Sequence, residues 1–268
     1  MVRNLGVIKI LWFVTALLAF FVSLCGVVYP GIYAIVVSAK ILPGVFSQDL
    51  MTLVTSILVM FLVIRMKEND LIKQILVLGI LGYFFYGYGI YVIERLYNIL
   101  YIIYMAIFGL SFYGLIYGIA GIRKEITESV ELPKTIRMLS VGFLLLNPVI
   151  FYPLWLSQLL PLLLTGQKIE FMYSIYILDI CFIMPAFFIL AIKTAKNKGL
   201  GLLLTPALFV LGFTLLAPLA VGEMLKPRLF HQPVDTAGMW LFLGLSVLFL
   251  GITVIYCRNL LIKNETAK

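Results

Sequence analysis

The sequence predicts an all-α, polytopic transmembrane bundle of about eight spanning helices, folded as a single domain over residues 1–268. Three observations carry this expectation. First, 63% of the residues are hydrophobic and only 12% are charged, with a mean hydropathy of +1.12. Soluble domains run at about half apolar and about a quarter charged, so lipid must cover much of this surface. Second, the apolar residues fall in runs of roughly membrane-spanning length, about 20 residues. Third, the basic residues gather between those runs, with a strong bias to one side.

Eight segments meet or approach the length of a span: Leu5–Val28, Leu50–Ile64, Leu71–Ile93, Leu96–Ile122, Thr135–Leu164, Phe171–Ile192, Gly199–Gly222 and Ala237–Tyr256. The second is short. The fifth is long and carries Pro148, Pro153 and Pro161, which predict a bend because each proline frees a carbonyl. With the N-terminus inside, the outer segments hold Lys40, Arg95, Lys168, Lys226 and Arg228, and the other 15 of the 20 basic residues lie inside. That bias predicts cytoplasmic termini and a place in the cell (plasma) membrane. The first run resembles a secretion signal in having Arg3 and Lys9 before an apolar core. That core is longer than a signal core, and no small-x-small cleavage site follows it. Between the first two spans, Ile32–Leu42 is too short to cross and reads as an interfacial or re-entrant piece.

Several functions are excluded or disfavoured. The net charge of +8 is accounted for by cytoplasmic loops, so nucleic acid is not an expected partner; the expected partner is the lipid bilayer. There is no phosphate-loop, HExxH, CxxC or GxSxG motif. His231 is the only histidine, which rules out a multi-histidine metal site or a haem pair, and no cofactor is called for. Cys25, Cys181 and Cys257 are too few and too scattered for a disulfide framework and read as small hydrophobes. Asn264-Glu265-Thr266 matches a glycosylation sequon but falls in the expected cytoplasmic tail.

The residues that could carry function are polar groups inside the apolar runs. Asp179 stands about nine residues into the sixth span, roughly 13 Å deep. A charged side chain there must face a cavity, pair with another group, or take up a proton; the bland alternative is a hydrogen bond to a neighbouring Tyr or Asn. On a helical wheel, Tyr83, Tyr86, Gly87, Ile90 and Glu94 share one face of the third span. Tyr97, Tyr101, Tyr104, Phe108 and Ser111 share a face of the fourth, and a short turn with Arg95 and Asn98 joins the two spans. Tyr91, Tyr97 and Tyr101 read as interfacial-belt residues, whereas Tyr83 and Tyr86 lie deeper. Asp49, at the start of the expected second span, reads as a helix cap that complements the dipole. Gly114 and Gly118 have the GxxxG spacing of a helix-packing face.

Several short motifs run from the first span to the seventh: Pro30-Gly31-x-Tyr33, Gln48-Asp49-Leu50, and Gly82-Tyr83-Phe84-Phe85-Tyr86-Gly87-Tyr88. Asn98 with Tyr104, and Tyr176-x-x-Asp179 followed by Pro185, complete the pattern. In these the chain resembles a family of uncharacterised prokaryotic multi-pass membrane proteins, to which no activity is assigned. The resemblance implies no substrate or mechanism, but it singles out Gln48, Asp49, Tyr83, Tyr86 and Asp179.

The reading that follows is an outward-facing polar pocket among the third, fourth and sixth spans. Asp179 would anchor it, and Tyr83, Tyr86, Tyr104 and Tyr176 would supply hydrogen bonds or cation–π faces, with Glu94, Asn98, Gln48 and Asp49 nearby. Such a pocket suits a transporter or sensor for a small molecule or cation. Two alternatives stand beside it. One is a membrane enzyme acting on a lipid or quinone-like substrate through converging carboxylates or His231. The other is an accessory subunit whose polar residues only tie helices together.

Overall fold

The structure, a computed structural model, describes residues 5–169 and 172–262. The expectations for Arg3, for Glu170 and Phe171 at the start of the sixth span, and for Lys263, the 264–266 sequon and Lys268 fall outside the described residues. Within them, eight helical segments are long and apolar enough to cross a membrane. The protein is an integral, multi-pass membrane protein. Its spans are α1 (Leu5–Val28), α2 (Leu42–Arg65), α3 (Leu71–Ile93), α4 (Tyr101–Ala120), α6 (Lys134–Thr165), the pair α7 (Tyr173–Leu178) and α8 (Met184–Ala195), α9 (Gly199–Leu225) and α10 (Thr236–Asn259). A short helix, α5 (Lys124–Ser129), lies between α4 and α6. The departure from all-α is small: β1 (Val130–Glu131) pairs antiparallel with β2 (Leu261–Ile262).

Three boundaries differ from expectation, each for a local reason. The second span starts eight residues before Leu50, at Leu42. Pro43 and Gly44 looked like loop markers, but a proline in the first turn costs nothing because its N–H would be unpaired anyway. The expected interfacial piece Ile32–Leu42 is instead a 3-10 turn, Pro30–Tyr33, followed by turns that lead into α2. The fourth span begins at Tyr101 rather than Leu96. Asn98 closes the preceding turn by accepting the Leu100 N–H at 3.0 Å, and Arg95 turns the chain with a φ of 56°.

The three prolines do not interrupt α6, which runs as one helix of 32 residues. Side chains such as Asn147, whose amide donates to the Phe143 carbonyl at 3.0 Å, supply extra bonds along it. The sixth span is less regular. Pro185 has no N–H to give to the Cys181 carbonyl, and the helix absorbs the defect as a π-turn over Asp179–Ile183, with Met184 N–H bonded to the Asp179 carbonyl.

Helices α3 and α9 form the centre. Of the apolar window of α3, 78% is buried within the protein, against 17% for α10, which packs almost wholly on α9. Loops collect at two ends. At one, Gln232 between α9 and α10 donates to the Ala39 carbonyl between α1 and α2 at 2.7 Å, and Ser174 in the first turn of α7 bonds Glu94 after α3. At the other, Lys9 near the start of α1 donates to the Met66 carbonyl at 3.1 Å, and Arg123 after α4 pairs with Glu68 at 2.8 Å. The β1–β2 pair joins the C-terminal segment to this second end. Both ends of the described chain therefore lie at one end of the bundle, as an even number of spans requires. The GxxxG face packs as expected. Trp12 donates to the Gly114 carbonyl at 3.0 Å, and a Cβ at Gly118 would meet Leu78 at 2.7 Å and Trp12 at 2.9 Å.

Candidate functional site

Among the described residues, two carboxylates lie inside the bundle, one on each side of α3. Asp49 is the deeper. It stands seven residues into α2, about 10 Å from the helix start, so it caps nothing. Only 2% of it is exposed. The Tyr33 hydroxyl donates to its Oδ2 at 2.7 Å. This bond explains why the segment after α1 turns inward: the 3-10 turn at Pro30–Tyr33 places the phenol over the carboxyl. Gly26 makes room for both, since a Cβ there would fall on the Asp49 carboxyl and lie 2.8 Å from the Tyr33 hydroxyl.

Around this pair stand phenols from α3 and α4. Tyr91 packs edge-on to Tyr33, with ring centroids 6.2 Å apart, and to Tyr104 at 5.1 Å. Tyr88 contacts both Tyr91 and Tyr104 at under 6 Å. Asn98 donates to the Tyr104 hydroxyl at 3.1 Å. Tyr83 donates to the Gln48 carbonyl at 3.0 Å and pairs with the Thr52 hydroxyl at 2.8 Å. The Tyr91 hydroxyl lies beside Asp49, buried and without a hydrogen bond of its own. A narrow gap runs along this cluster. It is lined by Gln48, Asp49, Thr52, Tyr83, Phe84, Gly87, Tyr88 and Tyr91 and is too tight to seat a water molecule.

Asp179 occupies the other side of α3, at the first residue of the π-turn. It is 8% exposed and accepts a hydrogen bond from the Trp155 indole at 2.8 Å, with the Tyr86 phenol also beside it. Tyr176 packs edge-on to Trp155 and donates to Gln158 at 2.6 Å on the outward face of α6. Glu94 belongs to neither cluster: its Oε1 accepts the Ser174 N–H at 2.7 Å and hydroxyl at 2.6 Å, pinning the start of α7 to the end of α3.

The single pocket expected among the third, fourth and sixth spans is thus two clusters. Tyr83, Tyr104, Asn98, Gln48 and Asp49 gather on one side of α3, and Tyr86, Tyr176 and Asp179 on the other. Tyr83 and Tyr86 are only 60° apart on the wheel at about 100° per residue, but Tyr83 meets Gln48 and Thr52 of α2 while Tyr86 meets Asp179 of the sixth span. Tyr91 is no belt residue, being buried among Tyr33, Tyr88 and Tyr104. Sequence reasoning also passed over Thr52 and Gly26 as contributors, and held Tyr33 and Tyr88 only as parts of motifs. The density of tyrosines in one span, at 83, 86, 88 and 91, was the available signal.

Neither Asp49 nor Asp179 has a basic residue, a second carboxylate or His231 among its bonded neighbours. No group of three or more His, Cys, Asp or Glu side chains among the described residues could hold a metal ion. Comparison of the chain with protein-family profiles, curated proteins and solved structures yields no match.

Proposed function

We propose that the protein binds a small cation, an organic amine or a monovalent ion, at Asp49 for transport or sensing across the cell membrane. One observation carries the reading. Asp49 is a carboxylate almost fully enclosed by tyrosines, with the Tyr33 hydroxyl as its partner but no counter-charge among the described residues. A buried acid costs several kcal/mol unless a cation or a proton neutralises it, and phenol rings add cation–π attraction for a cation that enters. Asp49 lies in the half of the bundle opposite the chain ends, so with cytoplasmic termini it faces outward. The cavity is tight, so entry requires the Tyr29–Ile41 segment carrying Tyr33 to move off the carboxyl. The lack of converging carboxylates favours binding over lipid or quinone chemistry.

The test is binding by purified protein, with sodium, potassium and methylammonium as probes and thermal stability as the readout. At least one should stabilise the wild type, and Asp49→Asn should abolish that shift while keeping a cooperative transition. If Asp49→Asn folds and responds as the wild type does, the carboxylate is structural and the accessory-subunit reading holds.

A further inference from the structure

Among the described residues, the packing leaves a buried cationic donor unmatched at the end of the bundle where the described chain begins and ends. The Arg137 guanidinium, in the first turn of α6, has no hydrogen bond or ion pair among the described residues, and its Nε is buried without a partner. Three residues on, Ser140 is fully buried and its hydroxyl also has no partner. The two lie on one helix face. An arginine cannot shed its charge inside a protein, so an anion is the group that matches it in both charge and hydrogen bonding.

The surroundings define the shape of the site. Helices α6 and α10 run antiparallel and meet through Phe143 and Phe249, whose ring centroids are 4.7 Å apart. Six residues back along α6 is Arg137, and seven forward along α10 is Tyr256, both about 10 Å from the ring pair. The two side chains interact electrostatically. Tyr256 donates its hydroxyl to the Leu202 carbonyl at 2.9 Å, and among the described residues no hydrogen bond joins its oxygen to the guanidinium Nε. The β1–β2 pair ties the end of α10 to the chain just before α6, which keeps Lys134 and Arg258 at the same end. Arg137 lies only about 4.5 Å along α6 from its start, the level of lipid headgroups. Nearby, Leu139 on α6 and Ile255 on α10 are exposed apolar flanks against which acyl chains can lie.

We propose that the Arg137–Ser140 face of α6, beside the end of α10, binds a phosphate group, carried by an anionic phospholipid of the adjoining leaflet or by a free phosphate. The planar guanidinium fork matches two phosphate oxygens, the Ser140 hydroxyl donates to a third, and Lys134 and Arg258 supply the surrounding positive field.

The experiment is titration of the detergent-solubilised full chain with phosphatidylglycerol and, separately, with inorganic phosphate, reading affinity from the thermal shift. The wild type should bind one of the two saturably. Arg137→Gln should weaken that binding about tenfold or more, the scale of lost charge-assisted hydrogen bonds. Arg137→Lys should recover only part of it, and Ser140→Ala should weaken it more mildly. Arg123→Gln, at the same end but paired with Glu68, should bind as the wild type does. Response to phosphatidylglycerol alone assigns the site to a lipid headgroup, and response to both assigns it to phosphate in general. The proposal is overturned if neither binds, or if Arg137→Gln equals the wild type. It is also overturned if Arg123→Gln loses as much as Arg137→Gln, which would indicate unspecific charge attraction. Should Arg137→Gln not fold, the Lys and Ser140→Ala variants decide: unchanged affinity in both rejects the site.

Discussion

The two sides of α3 each hold a carboxylate, but they enclose it differently. Asp49 is closed in by tyrosines from the centre of the bundle, and Tyr33 reaches it from a connecting segment rather than from a span. Asp179 takes its hydrogen bond from Trp155 on α6, a helix of which only 22% of the apolar window is buried. The first site is therefore built on the most enclosed helix, and the second on a peripheral one beside a π-turn. An acid partnered by rigid, buried groups loses more when a partner is removed than one whose neighbours can relax toward lipid or water.

The most severe way to break the Asp49 site is to fill its space. Gly26→Val should cost about 3 kcal/mol, from overpacking plus a displaced buried hydrogen bond, and should show as a lowered melting temperature and poor expression. A variant as stable as the wild type would mean that α1 does not press on the carboxyl as described. Next is Tyr33→Phe, which deletes one hydroxyl and leaves the carboxyl buried; about 2 kcal/mol is expected in thermal denaturation. Trp155→Phe removes the matching donor at Asp179, where Tyr86 remains, and should cost about 1 kcal/mol. Equal losses for these two variants would erase the distinction between the sites.

The smallest effect belongs to Asp70, an exposed carboxylate that serves as the reference. The Lys73 ammonium, bonded to it at 2.7 Å, holds its carboxyl below the usual carboxylate range. A depressed folded-state value stabilises the fold above the unfolded value and is lost as pH falls through the folded one. Asp70→Asn should therefore differ slightly from the wild type at neutral pH and converge with it in acid, as followed by melting temperature against pH. A difference that persists in acid would place the effect outside the ion pair.

Much of the architecture is legible from hydropathy alone, because a backbone in lipid must pair its own N–H and C=O groups and so each apolar run becomes a helix. The errors concern particular residues. Pro43 reads as a loop marker because one sequence cannot distinguish a proline in a first turn from one in a loop. Tyr91 reads as interfacial because depth along a span says nothing about which neighbour a face meets. Asp49 reads as a cap because its helix was started eight residues late.

By itself, then, the sequence determined the number and rough limits of the spans, the even count that brings both chain ends together, and the short list of polar residues in costly places. Those follow from local composition and one-dimensional spacing. Which of those polar residues meet was decided only in the tertiary structure. Tyr83 meets α2 while Tyr86 meets Asp179 of the sixth span, the turn at Pro30–Tyr33 carries a phenol onto Asp49, and the clamp of β1 on β2 sets Arg137 against α10. The reason is geometric: each helix presents several faces, and only the placement of its neighbours decides which face encloses a charge and which meets lipid.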